Sequence, residues 1–121
     1  MKYLCLGYGN KAKMDALPKE KLNELLRQCV PFVNELNQFK GMIMHEAISW
    51  DVKTLRSSGG KVAVTDGPYA ETKEQIGSFF VFEARDMEEA INVASKHPSA
   101  RMANDLGWRV ELRAFGEFKP E

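Results

Sequence analysis

The run Val64-Thr65-Asp66-Gly67-Pro68-Tyr69-Ala70-Glu71-Thr72-Lys73-Glu74-Gln75-Ile76-Gly77 leads directly into Ser78-Phe79-Phe80-Val81-Phe82. Its first half is a turn. Gly67 can take a positive φ, and Pro68 fixes its own φ while pushing the residue before it out of helical geometry. Its second half opens a strand over residues 78–84. Side chains alternate across a strand, so Phe80 and Phe82 face one way and Phe79 and Val81 the other. A strand apolar on both faces belongs in the middle of a sheet.

The elements on either side follow from the same rules. Residues 2–8 form an opening strand, again apolar on both sides, with Tyr3 and Cys5 opposed to Leu4 and Leu6. Leu22, Leu25, Leu26, Cys29, Val33 and Leu36 recur at three and four, which predicts a helix over residues 19–40. Pro31 inside it removes a backbone bond and crowds the carbonyl of Arg27, at a cost of about 3 kcal/mol, so a kink or a new helix start is expected there. Gly41 closes the helix. A strand over residues 42–50 then places Met42, Met44, Ile48 and Trp50 on one face and Ile43, His45, Ala47 and Ser49 on the other. Residues 54–56 and 62–64 flank Ser57-Ser58-Gly59-Gly60-Lys61 as a short hairpin. Asp86, able to accept from the amide of Glu89, starts a second helix that stops near His97-Pro98. Residues 107–115 supply the last strand.

The order βα, β, hairpin, β, αβ is a ferredoxin-like α+β arrangement with an extra β-hairpin before the third long strand. No repeat or linker divides the chain, so residues 1–121 are read as one domain. Two helices cover one side of such a sheet. Pairing of the bare side with a second copy is the simplest cover, which predicts a homodimer.

Seventeen basic and seventeen acidic residues balance. This leaves no basic footprint for direct nucleic-acid or anionic-membrane binding. The opening apolar run is too short for a secretory or membrane segment, so a cytoplasmic location is expected. In that compartment Cys5 and Cys29 are expected to be free thiols. The two histidines and two cysteines fall at unrelated spacings, so no metal is expected. Gly59-Gly60-Lys61 lacks the upstream Gly and trailing Ser or Thr of a phosphate loop. No cofactor is predicted.

The segment Asp66-Gly67-Pro68-Tyr69-Ala70-Glu71-Thr72-Lys73-Glu74 resembles the signature of the DGPF family, part of the YCII-related proteins, with Tyr69 where the pattern has Phe. Lys2-Tyr3-Leu4-Cys5-Leu6 and Val110-Glu111-Leu112-Arg113 extend the match, and Ser78 departs from the family's usual second Gly. The resemblance implies a dimeric α/β barrel. It also suggests extracytoplasmic-function sigma factors as an associated partner class.

The signature loop carries the first candidate site. A carboxylate partly desolvated there, Glu71 or Asp66, suits a general base, and the Lys73 ammonium suits an anionic substrate or enolate. Two plainer readings stand beside this. Asp66 also serves as a turn former through its own backbone amides, and Glu71, Lys73 and Glu74 also suit a local ion-pair lattice. Tyr69, Arg56 and Arg113 are further ligand-binding candidates, although Arg113 has Glu111 as an alternative partner on the same strand face. His45 reads as a structural histidine, and no local motif matches the family's suspected catalytic His. His97, before Pro98, reads as a cationic cap on a helix end. Trp50, Trp108 and the phenylalanines read as core, with one or two lining a cavity.

Two functions compete on these residues. One is a small cofactor-free enzyme doing isomerase- or lyase-type acid–base chemistry on a small anionic or carbonyl compound. The other is a non-catalytic module that binds a small molecule or a regulatory partner.

Overall fold

The computed structural model describes residues 1–68, 74–102 and 106–120. The opening strand, β1 (Lys2–Gly9), alternates as its sequence requires: Tyr3, Cys5, Gly7 and Gly9 are buried, while Leu4, Leu6 and Tyr8 face the other side half-buried. Asn10 then caps a short helix, α1 (Lys11–Asp15), by accepting a 3.0 Å bond from the Lys13 amide. That helix was not expected from the apolar pattern. It is followed by α2 (Lys19–Asn37), which runs unbroken through Pro31. The proline starts no second helix: its side chain lies exposed, and the apolar stripe keeps one phase on either side of it.

Next come β2 (Met42–Ala47), β3 (Lys53–Ser58), β4 (Lys61–Asp66) and β5 (Gln75–Glu83). The chain closes with α3 (Met87–Ala94), α4 (Pro98–Arg101) and β6 (Arg109–Ala114). The main sheet has the order β2-β5-β1-β6, with every neighbouring pair antiparallel. The two strands apolar on both faces, β1 and β5, are therefore the central ones. Strands β3 and β4 form the separate hairpin, turning at Gly59 and Gly60, both at positive φ.

The core lies between the sheet and the helices. Tyr3, Cys5, Phe80 and Phe82 from the sheet meet Leu36 of α2 and Ala90, Val93 and Ala94 of α3. Asp86 starts α3 as expected, accepting from the Glu89 amide at 2.9 Å, while Glu89 accepts in return from the Arg85 amide at 3.0 Å. The expected alternation of β2 is corrected at one point. Met42 pairs with Phe82 but Met44 with Val81, so a bulge at Ile43 puts the two methionines on opposite faces. The same bulge sets His45 opposite Phe80, on the helix side.

Among the described residues no helix covers the other side of the sheet. Leu4 and Leu6 lie there beside Phe79 and Val81, with Arg109, Glu111 and Arg113 of β6 at one margin. Among the described residues no helix is long and apolar enough to cross a membrane. Both cysteines are free. Burial pushes the Cys5 thiol up to about 12, and the half-buried Cys29 thiol donates to the Leu25 carbonyl at 3.3 Å.

Candidate functional site

Three glycines thin the sheet at one end. A Cβ at Gly77 would stand 2.8 Å from the Trp50 ring, and one at Gly9 3.2 Å from it, so the indole lies on bare backbone. The register of β1 on β5 slips between Gly7 and Tyr8, which makes Gly77 the bulged residue opposite them. Where side chains are missing the helices cannot close onto the sheet. A cavity of about 330 Å³ opens there, walled by Trp50 and Trp108 on one side and by Leu26, Cys29 and Val33 of α2 on the other.

The chain has only two histidines, and they meet in this cavity. The His45 and His97 rings lie 5.3 Å apart between centroids, and both pack on Phe80, with His97 stacked on it at 5.3 Å and 9°. His45 Nδ1 lies 2.9 Å from Asn37 Oδ1. A carbonyl oxygen only accepts, so with the amide in this orientation the His45 proton sits on Nδ1 and Nε2 keeps its lone pair. His97 is the reverse case. Its Nδ1 accepts from the Ser99 amide at 3.0 Å, so the neutral ring carries its proton on Nε2.

Burial holds both rings neutral. It lowers His97 from 6.5 to about 4, with the neighbouring His45 adding to the effect. His45 is lowered as well, chiefly by burial, with Glu46 working against it. The expectation of a cationic His97 capping a helix end is thus corrected. The residue does cap, but at the start of α4 and as a neutral acceptor. No Lys, Arg, Asp or Glu lines the cavity among the described residues. The site therefore offers one neutral proton acceptor and one neutral donor in surroundings of low polarity.

Trp50 and Trp108 line the cavity as one or two aromatics were expected to, whereas Asp66, Arg56 and Arg113 lie elsewhere. Asp66 is exposed at the foot of the hairpin in an ion pair with Lys53, and the Gly67 amide beside it donates to the Val52 carbonyl at 2.8 Å. Gly67 has the expected positive φ, 89°. Arg56 is exposed on β3, and Arg113 lies opposite Leu4 on the uncovered face. Tyr69, Glu71 and Lys73 fall outside the described residues. Pro68 and Glu74, which flank them in sequence, both line a second hollow of about 690 Å³ between the hairpin foot and the uncovered face, with Tyr8, Ile48, Val52 and Ile76. Near it the Tyr8 hydroxyl bonds to the Glu111 carboxylate, which raises the phenol's pKa, and Arg109 pairs with Glu74. Glu111 thus engages Tyr8.

The pairing of His45 with His97 was not legible in the chain, because one stands on β2 and the other at the start of α4. Its one trace was Pro98, which suits the first turn of the helix that His97 caps, since the bulge that turns His45 inward left no sign in the sequence. Among the described residues no group of three or more potential ligands gathers for a metal ion.

Comparison with known proteins agrees with this architecture. An uncharacterised protein of Rhizobium meliloti (strain 1021) is 28% identical over 122 residues, a match spanning 99% of this chain and 96% of that protein. Among solved structures, the 5-chloro-2-hydroxyhydroquinone dehydrochlorinase of Burkholderia phenoliruptrix in complex with 2,5-dihydroxybenzoquinone superposes with a TM-score of 0.52 over 98% of this chain and 96% of its own. At 13% identity that likeness concerns the fold. The family model of the YCII-related domain matches residues 1–115, and the chain belongs to that family.

Proposed function

We propose that this protein is a small enzyme of the acid–base class, working without a cofactor on a carbonyl compound held in the cavity between α2 and the sheet. The observation behind this reading is the pair of neutral imidazoles with their protons on opposite nitrogens. In the proposed step His45 Nε2 takes a proton from the carbon next to the carbonyl. The C–H electron pair forms a C=C bond, and the carbonyl oxygen becomes an enolate that accepts from His97 Nε2–H. Return of the proton to a different carbon completes an isomerisation. Loss of a leaving group from the adjacent carbon completes a lyase reaction, the class to which a dehydrochlorinase such as the Burkholderia phenoliruptrix protein of similar fold belongs by its name. A neutral imidazole donor is well matched to an enolate oxygen, because it does not lose its proton to the product. The uncharged lining favours a carbonyl compound over a formal anion, whose burial without a counter-charge is costly.

Deuterium uptake from solvent into small cyclic ketones, followed by proton NMR, tests the reading. The native protein is expected to catalyse exchange, and His45→Gln to lose it by about 10²–10⁴-fold. Exchange that persists undiminished in His45→Gln would place the base elsewhere.

The position of Pro68 and Glu74 on the second hollow supports a second reading, in which the signature loop borders a ligand site of its own. In this reading Glu71 or Asp66 serves as base and Tyr69, Lys73, Arg56 and Arg113 as ligand contacts, with Asp66, Arg56 and Arg113 reaching the hollow from outside its described lining. We further assign the chain to the DGPF branch on its signature run, to the cytoplasm, and to a homodimer that closes two uncovered sheet faces into a barrel.

A further inference from the structure

Gly7 is overhung by polar groups from two other elements. A Cβ there would overlap Ser78 Oγ and stand 3.4 Å from His97 Cε1 and 3.5 Å from Ser99 Oγ. Ser78 is brought in by the β1–β5 register, which sets it directly opposite Gly7, and Ser99 lies in the first turn of α4. The Ser99 amide is engaged with His97 Nδ1, but among the described residues neither serine hydroxyl makes a hydrogen bond within the chain. Among the described residues no sealed side-chain nitrogen or oxygen lacks a partner, so both unbonded hydroxyls reach open space, and both residues line the cavity. Two hydroxyls thus open onto the same recess as the His97 ring, in a cavity whose other walls are largely apolar.

We propose that Ser78 Oγ and Ser99 Oγ form, with His97, a donor cluster for a single ligand oxygen on which negative charge develops. This rests on the function proposed above and assigns the two ends of the substrate, with its oxygen over Gly7 and its acidic C–H toward His45. The substrate class follows. It is a neutral molecule able to place charge on one oxygen, a ketone that enolises or a phenol. A hydroxyl turns its proton to whichever acceptor arrives, and in low-polarity surroundings such donors act more strongly than in water. The glycine at position 7 is what leaves room for the Ser78 hydroxyl beside His97 and Ser99.

The probe is 4-nitrophenol, whose phenolate absorbs in the visible while the phenol does not. Its bound pKa is read by titrating the saturated complex with pH for the native protein, Ser78→Ala and Ser99→Ala. Each substitution is expected to raise the bound pKa by about one unit, a roughly tenfold loss of preference for the phenolate. The same bound pKa in all three proteins would overturn the donor cluster while leaving the cavity as a binding site. Absence of binding by the native protein would be a different failure, overturning the cavity reading of the function and the cluster with it.

Discussion

Two imidazoles that stay neutral govern the behaviour of this protein at the scale of single residues. His97 is lowered from 6.5 to about 4 because it is buried and has His45 beside it. Below pH 6.5 an unfolded chain binds a proton at this residue that the folded chain refuses until about pH 4. Unfolding therefore takes up a proton in that window. The stability contribution is complete above pH 6.5 and is lost as the pH falls toward 4, with a slope of up to about 1.4 kcal/mol per pH unit. His45, lowered chiefly by burial, acts in the same direction. Urea unfolding at pH 7, 6 and 5 should show this decline, and His97→Gln should flatten it. An equally steep decline in the variant would take it away from His97 and assign it to His45 or the carboxylates. This neutrality was not legible in the chain for a definite reason. Pro98 marks where a helix stops, but only the folded chain shows that the next turn lays the ring against Phe80.

At the scale of elements, α2 shows tertiary packing prevailing over local preference. Pro31 cannot donate to the Arg27 carbonyl, yet the helix continues from Lys19 to Asn37 because Cys29, Val33 and Leu36 must all face the sheet. Since its ring is exposed, Pro31→Ala should restore the missing bond and raise stability by about 1–3 kcal/mol in thermal or denaturant unfolding. A loss of stability would mean that the proline sets a bend the packing needs. Strands were more legible than helix ends. The Gly59-Gly60 tip announced the hairpin, and both central strands were plain from their double-sided apolar pattern. The Ile43 bulge was invisible, because an extra residue in a ladder depends on the partner strand. The helix α1 was missed because its one strong signal, the Asn10 cap, precedes only five helical residues and no apolar repeat.

For the whole molecule, the central place of β1 and β5 was readable from their double-sided apolar pattern, but the side on which the helices lie was not, because that pattern is the same on both faces. The site was not readable either, because β1, α2, β2, β5 and α4 build it from groups far apart in the chain. The uncovered face holding Leu4, Leu6, Phe79 and Val81 motivates the homodimer. Light scattering after gel filtration should give twice the 13.7 kDa chain mass, and a stable monomer across micromolar concentrations would contradict that assembly. The cavity itself is tested most directly by titrating 4-nitrophenol into the isotopically labelled protein and following every backbone amide by two-dimensional NMR. The predicted result is a set of shifts centred on Gly7, Gly9, Gly77, Ser78 and Ser99. Shifts confined to Ile48, Val52, Lys53 and Ile76 on the opposite side of the sheet, with the three glycines unmoved, would contradict it.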